Sequence, residues 1–371
     1  MSENVTLRVN GVDFAGWLDV QIVAGIERQA RDFTLSITRV WPGATDIPRR
    51  VRPGDVCEVW IGSDKLLTGH VDATPISYDK ESVTVGVKGR SKTADLVDCA
   101  ADFGKGQWRG RKIESIAADL AKAYGITVQS EVETGAVIAE HQIQPGETVF
   151  ESVSRLLALR QLLSTDDAEG NMVLVNPGSG GRAETALELG KNVLSADAPL
   201  DYKDVFGTYV CKGQRAGSDL DAAENIAESI SSSTDANVKR HRLLVITQSG
   251  QVDTQMCRDR VKYEAVYRAA KALETTYKVQ GWRQADGSLW LPNQLVRVRD
   301  GVIGFDDEML IVEVTYQIGS DGTFAFLKVG PLAGYIPSPE ATKKAKAKKA
   351  KGAGWDKDAT LVEFPTKTTT N

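Results

Sequence analysis

The three histidines of this 371-residue chain, His70, His141 and His241, are the first residues to test for chemistry, because imidazole titrates near neutral pH and ligates metals. None stands at a metal-ligand spacing from another His, a Cys or a carboxylate cluster. His70 falls in an alternating apolar run, where a hydrogen-bonded or solvent-facing imidazole is the plainer reading. No Ser occupies a Gly-x-Ser-x-Gly elbow, so a Ser-His-Asp arrangement has no nucleophile signature. Gly178-Ser179-Gly180-Gly181 is the one dense glycine loop. It lacks the following helix and Lys of a phosphate cradle and reads as a linker. The acidic run from Asp166 to Asn171 lacks the alternating ligands and closing Glu of a calcium loop. It reads as a solvated hairpin turn. Cys57, Cys99, Cys211 and Cys257 are far apart, each within an apolar pattern, as expected of buried free thiols in a reducing compartment. No residue is therefore nominated as catalytic, cofactor-binding or metal-binding, and that result favours a structural role.

Charge is unevenly divided. The chain carries a net −5, yet residues 343–371 hold eight Lys against Asp356, Asp358 and Glu363, leaving about −10 on the body. An acidic body argues against a broad phosphate-binding surface. The run Lys343 to Lys351 is the only nucleic-acid candidate, and without interleaved aromatics it also fits a solubilising tail. From residue 336 the composition predicts a disordered Lys-rich tail. The densest apolar stretch, Leu156 to Leu163, is short and interrupted by Arg160, so neither a signal peptide nor a membrane span is expected.

The elements that would carry any site are mostly strands. Val5, Leu7 and Val9 alternate, Asn10-Gly11 turns the chain, and Val12 and Phe14 resume the pattern, a hairpin signature. After Gly89 the period changes from two to near 3.6. Ile113, Ile116, Ala117, Leu120 and Tyr124 make one helical face ending at Gly125, and Thr148 with Glu151 forms a capping box for a helix running towards Leu162-Leu163. Met172 to Val175 reads as a strand. Further strands are expected at Leu187 to Val193, Val205 to Lys212 and Leu243 to Thr247, a weak Ala-rich helix at Ser218 to Ile230, and an exposed serine loop at Ser231 to Thr234. A long helix is marked by Cys257, Val261, Ala265 and Ala269.

The stretch Pro53 to Gly89 has a second version at Pro292 to Gly330. Val56, Val59 and Val71 align with Leu295, Val298 and Val314, Leu66-Leu67 with Leu310-Ile311, and Val83, Val85 and Val87 with Phe324, Phe326 and Val329 after a one-residue slip. Duplication and the convergence of two β-meanders both fit this match. If the first holds, the aligned apolar residues occupy matched core sites, since strand register fixes which face each side chain takes. The expected organisation is α+β: a first small antiparallel β-barrel domain at 1–89, an α/β domain at 90–176, a second, similar β-barrel domain at 177–335 with an α/β insertion at about 214–281, and the tail at 336–371.

Gly89-Arg90-Ser91-Lys92-Thr93-Ala94-Asp95-Leu96-Val97-Asp98-Cys99, with Gly106-Gln107-Trp108-Arg109, Gly146-Glu147-Thr148-Val149-Phe150-Glu151, Gly281-Trp282-Arg283, Leu289-Trp290 and Asp307 to Val312, resembles the baseplate hub proteins of Mu-type contractile phage tails. The resemblance covers most of residues 1–335. It implies a non-enzymatic virion protein of the tail baseplate, assembled in the host cytoplasm. It further implies a ring-forming homotrimer with two barrels and two smaller α/β parts per subunit, set between a threefold central spike and a sixfold tail tube. The genome would pass through the channel without specific binding, no cofactor is implied, and the plan is similar to the spike base of type VI secretion systems. A tail-associated peptidoglycan hydrolase is the alternative, but no pair of carboxylates is nominated for it.

Overall fold

The computed structural model describes residues 4–40, 51–80, 82–216, 226–235 and 238–338. The Lys-rich run at 343–351 and the rest of the tail lie outside the described residues.

The regular elements described in the first segment are all strands: β1 (Val5–Val9), β2 (Val12–Phe14), β3 (Asp19–Gly25), β4 (Asp32–Val40), β5 (Val56–Ile61), β6 (Asp64–Ala73), β7 (Ile76–Tyr78) and β8 (Ser82–Ser91). Asn10 and Gly11 both take positive φ, at 49° and 79°, the conformation a two-residue hairpin turn requires. Leu7, Val59 and Leu35 are fully buried, as alternation on a half-covered sheet demands.

The second segment contains α1 (Ala94–Asp98), β9 (Gln107–Arg111), α2 (Ile113–Ala121), β10 (Val128–Ser130), β11 (Ile138–Gln142), α3 (Val149–Ala158), β12 (Leu163–Asp166) and β13 (Met172–Val175). Ile113, Ile116, Ala117 and Leu120 of α2 pack with Val149, Val153 and Leu156 of α3 in one core. The Thr148–Glu151 capping box is formed in both directions, and Gly125 closes the helical turn in the left-handed region at φ 67°. The helix expected to run to Leu162-Leu163 stops at Ala158; Gln161 has φ 56° and Leu163 already belongs to β12.

The third segment holds β14 (Leu187–Glu188), β15 (Val193–Asp197), β16 (Thr208–Ala216), β17 (Ile226–Thr234), β18 (Leu243–Gln251), α4 (Thr254–Lys271), β19 (Thr275–Gln280), β20 (Leu295–Asp300), β21 (Phe305–Gly319) and β22 (Gly322–Gly330). Of the Ala-rich helix expected at 218–230, residues 218–225 lie outside the described residues; its remainder at 226–230 and the serine loop at 231–234 are corrected by β17, which pairs along its whole length with β16. Helix propensity is a weak prior, and a nine-residue ladder outweighs it. Strands β17, β16 and β18 form a separate sheet, and Cys257 and Val261 of α4 pack on Tyr209 and Cys211 of that sheet.

Fourteen strands join in one sheet, and no sheet closes into a barrel through the described pairings. Within it, the order β3-β4-β8-β6-β5-β1 is followed in the second half by β15-β19-β22-β21-β20-β14. Each position is filled by strands in the same chain order. The meander match thus extends to six strands, with one difference: β1 runs antiparallel to β5, whereas β14 runs parallel to β20.

Local irregularities coincide as well. The ladder skips one residue between Val71 and Ala73 and again between Ile311 and Glu313. Gly54 N–H donates to Val71 O at 2.7 Å, and Asn293 N–H to Ile311 O at 2.8 Å. Gly54 and Asn293 both sit at positive φ, 89° and 69°. A bulge and a left-handed turn at the same ladder position are not required by alternation, so their agreement favours one unit used twice.

The register of that repeat corrects the sequence alignment. Val59 and Val298 are matched and fully buried. Val56, however, is 50% exposed, and its counterpart Leu295 is half-buried. Val71 corresponds to Ile311 instead of Val314. Val83, Val85 and Val87 correspond to Thr323, Ala325 and Leu327, a constant offset of 240 set by the pairings of β6 and β7 with β8 and of β21 with β22. Phe324 and Phe326 therefore lie on the opposite sheet face, where Lys278 Nζ sits 3.7 Å from the Phe324 ring centroid. A one-residue slip exchanges faces, and the core takes Ala325, Leu327 and Val329, all fully buried.

Candidate assembly interface

The two six-strand units meet through β21 and β3. Six antiparallel pairs, from Glu313 opposite Gly25 to Ile318 opposite Val20, carry the large sheet from one unit into the other. Val314, Tyr316, Val20 and Ile22 are buried at this joint. A Cβ on Gly25 would stand 3.0 Å from Val312 O, so the strands approach at the limit that only glycine permits without a shift. Tyr316 Oη also donates to Trp290 O, and Trp282 packs edge-on to the Tyr316 ring at 6.0 Å.

The counterparts of these strands are sheet edges. Among the described residues, strand β7 pairs only with β8, and β15 pairs with β19 and otherwise makes one bridge, from Val193 to Leu189. Ile76, the counterpart of Tyr316, is 58% exposed, and Tyr78 is 82% exposed. On β15, Leu194 is 54% exposed. Open strand edges with exposed apolar residues and no Lys or Arg are ready to accept another strand.

A second joint ties the first unit to the α/β segment. Asp166 is almost wholly buried and accepts from Arg31 N at 3.0 Å and Arg31 Nε at 3.1 Å. The same guanidinium donates to Leu66 O and Asp166 O. Gln29 donates to Thr165 O and accepts from Ser164 Oγ, and Thr93 Oγ1 donates to Gln29 O. Burial pushes the Asp166 carboxyl up, while Arg31 holds it down. The solvated turn read at Asp166 to Asn171 is thus corrected at its first residue. The remainder is a turn, with Asp167 accepting from Glu169 N and Asn171 N. Nothing local distinguished Asp166 from its neighbours; Arg31 lies 135 residues away.

The histidines are not brought together. His70 is half-buried on β6 opposite Val56 and Arg90, His141 is buried on β11, and His241 is exposed just before β18. His141 Nε2 lies 2.8 Å from Ser152 Oγ, which sets a hydroxyl beside a base. Ser152 is fully buried within α3 and out of reach of a substrate. Burial, reinforced by the Arg155 charge, pushes the His141 imidazole down to about 4, so the pair acts as a neutral packing contact. The buried carboxylates Glu147, Asp166, Glu264 and Asp300 lie in separate places, and each has structural partners. Glu264 pairs with Arg260 and Arg268, Glu147 with Arg155, and Asp300 accepts from the Val302 and Ile303 amides. No group of three or more His, Cys, Asp or Glu positioned for a metal occurs among the described residues.

The glycine loop has a packing task. Gly178 N–H donates to Asn293 Oδ1 at 2.7 Å, and a Cβ on Gly180 would stand 2.8 Å from Asn293 O. The loop thereby seats the turn that opens β20. The four cysteines form no disulfide, and burial pushes the Cys57 and Cys211 thiols up to about 12.

Three family models match the chain: Mu phage baseplate assembly protein GpP-like, N-terminal, over residues 4–91; baseplate hub protein gp44-like, second domain, over 93–176; and Mu phage baseplate assembly protein GpP, fourth domain, over 253–338. Baseplate hub protein gp44 of Escherichia phage Mu is 34% identical over 354 residues, 93% of this chain and 92% of that protein. The 43 kDa tail protein of prophage MuSo2 from Shewanella oneidensis superposes with a TM-score of 0.82 at 30% identity, covering 91% of this chain and 100% of that one. The tail protein from Neisseria meningitidis MC58 shares the fold, with a TM-score of 0.76 at 21% identity, covering 92% of this chain and 100% of that one.

Proposed function

The chain belongs to the family of the phage Mu baseplate hub protein gp44, a structural family of the virion tail and not one of enzymes, and from that premise we propose that three copies close into a ring joining a threefold central spike to a sixfold tail tube. The doubling of the six-strand unit is the observation that carries this reading. Two similar units per chain present six similar modules per trimer, and a sixfold partner can dock on them equivalently. The α/β segment at 90–176 and the inserted β16–α4 sheet break the repeat and leave a threefold arrangement for the spike. In this proposal the units occupy 1–89 and 177–335, standing where two separate barrels were expected. The genome passes along the ring axis without base-specific contact, and no membrane is entered.

The test is mass in solution. Light scattering of the purified chain, alone and with its spike partner, is expected to return three times the chain mass. A stable monomer at high micromolar concentration under both conditions would refute the ring.

A further inference from the structure

We infer that β7 of one copy adds to β15 of the next as an antiparallel strand pair, repeating between subunits the β21–β3 joint found within each. The inference rests on the ring reading above and supplies its subunit contact. It follows from the duplicated geometry. A joint between two similar units is head-to-tail: it uses one edge of the first and a different edge of the second. Each chain therefore keeps one unused copy of each edge. The unused counterpart of the 313–318 stretch of β21 is residues 73–78, and that of β3 is β15.

Transferring the register fixes the pairs. Leu35 and Tyr277 hold matched places opposite Val87 and Leu327, and their other neighbours are Val20 and Ala196. Because Ile318 faces Val20 and Gln317 faces Gln21, Tyr78 faces Ala196 of the neighbour, Ser77 faces Asp197, and Ile76 faces Ala198. One step further on, Pro75 would face Pro199. Neither has an N–H to donate, so the ladder ends there. Burial agrees with the transfer: Tyr316 and Ile22 are at 0% exposure inside the chain, whereas Ile76 stands at 58%. The exposed residues are the ones a neighbour would cover.

Paired cysteines test the register in the full-length chain. Adjacent antiparallel pairs alternate between wide and close Cα spacing, so of Ser77→Cys/Asp197→Cys and Tyr78→Cys/Ala196→Cys at least one meets disulfide geometry. Under mild oxidation the better pair is expected to give covalent dimers and trimers at least ten times faster than the two-residue slip Ser77→Cys/Ser195→Cys. Each single-cysteine chain alone should give no ladder. Tyr78→Asp should raise the ring's dissociation constant at least tenfold and leave the subunit's melting temperature unchanged. If light scattering returns a trimer while the in-register pairs fail to link, or the slipped pair links as fast, this strand pairing is overturned and the ring stands. A monomer that never links overturns both. Linking of a chain that is monomeric when dilute supports the pairing as a weak contact.

Discussion

Replacing Asp166 with Ala should cost about 3 kcal/mol, and the geometry says why. The carboxylate is 1% exposed, and its partner Arg31 is 13% exposed. Removing one member of a buried pair leaves the other charge in a poorly solvated site, typically at a cost of about 3–5 kcal/mol. The lower end applies because the Arg31 guanidinium keeps two acceptors after the change, Leu66 O and Asp166 O. The Arg31 amide loses the acceptor it donates to, Asp166 Oδ2. Asp166→Asn preserves shape and one acceptor, so about 1–2 kcal/mol is expected. Replacing both members with apolar residues, Arg31→Met with Asp166→Leu, removes the stranded charge and should recover most of the loss. Urea unfolding followed by tryptophan fluorescence measures all three. With a slope near 3 kcal/mol/M for a chain of this size, the Ala variant's midpoint should fall by about 1 M. A fall under about 0.2 M would show that the pair is solvated in the protein and that the joint is held by its other contacts, among them the hydrogen bonds of Gln29.

The pH dependence of the α/β segment should report His141. Its folded pKa, about 4, lies below the ordinary value near 6.5, so between those values the unfolded chain binds the extra proton and stability falls as pH falls. From pH 7.5 to pH 5 the loss should be about 2 kcal/mol by this linkage, and His141→Gln should remove that part of the slope in urea midpoints. Gly89→Ala should destabilise by at least about 2 kcal/mol by overpacking, because the added Cβ would lie 2.3 Å from His70 O and 2.7 Å from the Phe33 ring. A thermal melt within a degree of the parent would refute the packing at that position.

Local chemistry made much of this protein legible. Asn10-Gly11 reads as a hairpin because few residue pairs tolerate two positive φ values in succession. Thr148 and Glu151 mark a helix start because their side chains satisfy nearby backbone amides. Pro53 and Pro292 opened corresponding strands, and the motif set from Gly89 onward identified a baseplate hub. The failures share a cause. The Ala-rich stretch before Ile230 carries a helical preference, and its second half is instead a strand because β16 offers a long ladder. The Phe324 and Phe326 face was misassigned because alternation gives a period but not its phase; the phase comes from Lys328 and Leu327 pairing with Glu313 and Val314.

The sequence by itself therefore determined which segments alternate, where α2 and α3 begin, that a β-meander pattern recurs and which family the chain joins. All of these rest on preferences set within a few residues or on motif identity. Only the tertiary structure decided that the two units share one sheet through Gln21 and Gln317, that Asp166 is buried against Arg31, and that β7 and β15 are edges of that sheet among the described residues. Those outcomes depend on ladder registers and close packing between residues more than a hundred positions apart. Such contacts leave no mark in the local pattern, because a strand's alternation is the same whichever neighbour it pairs with.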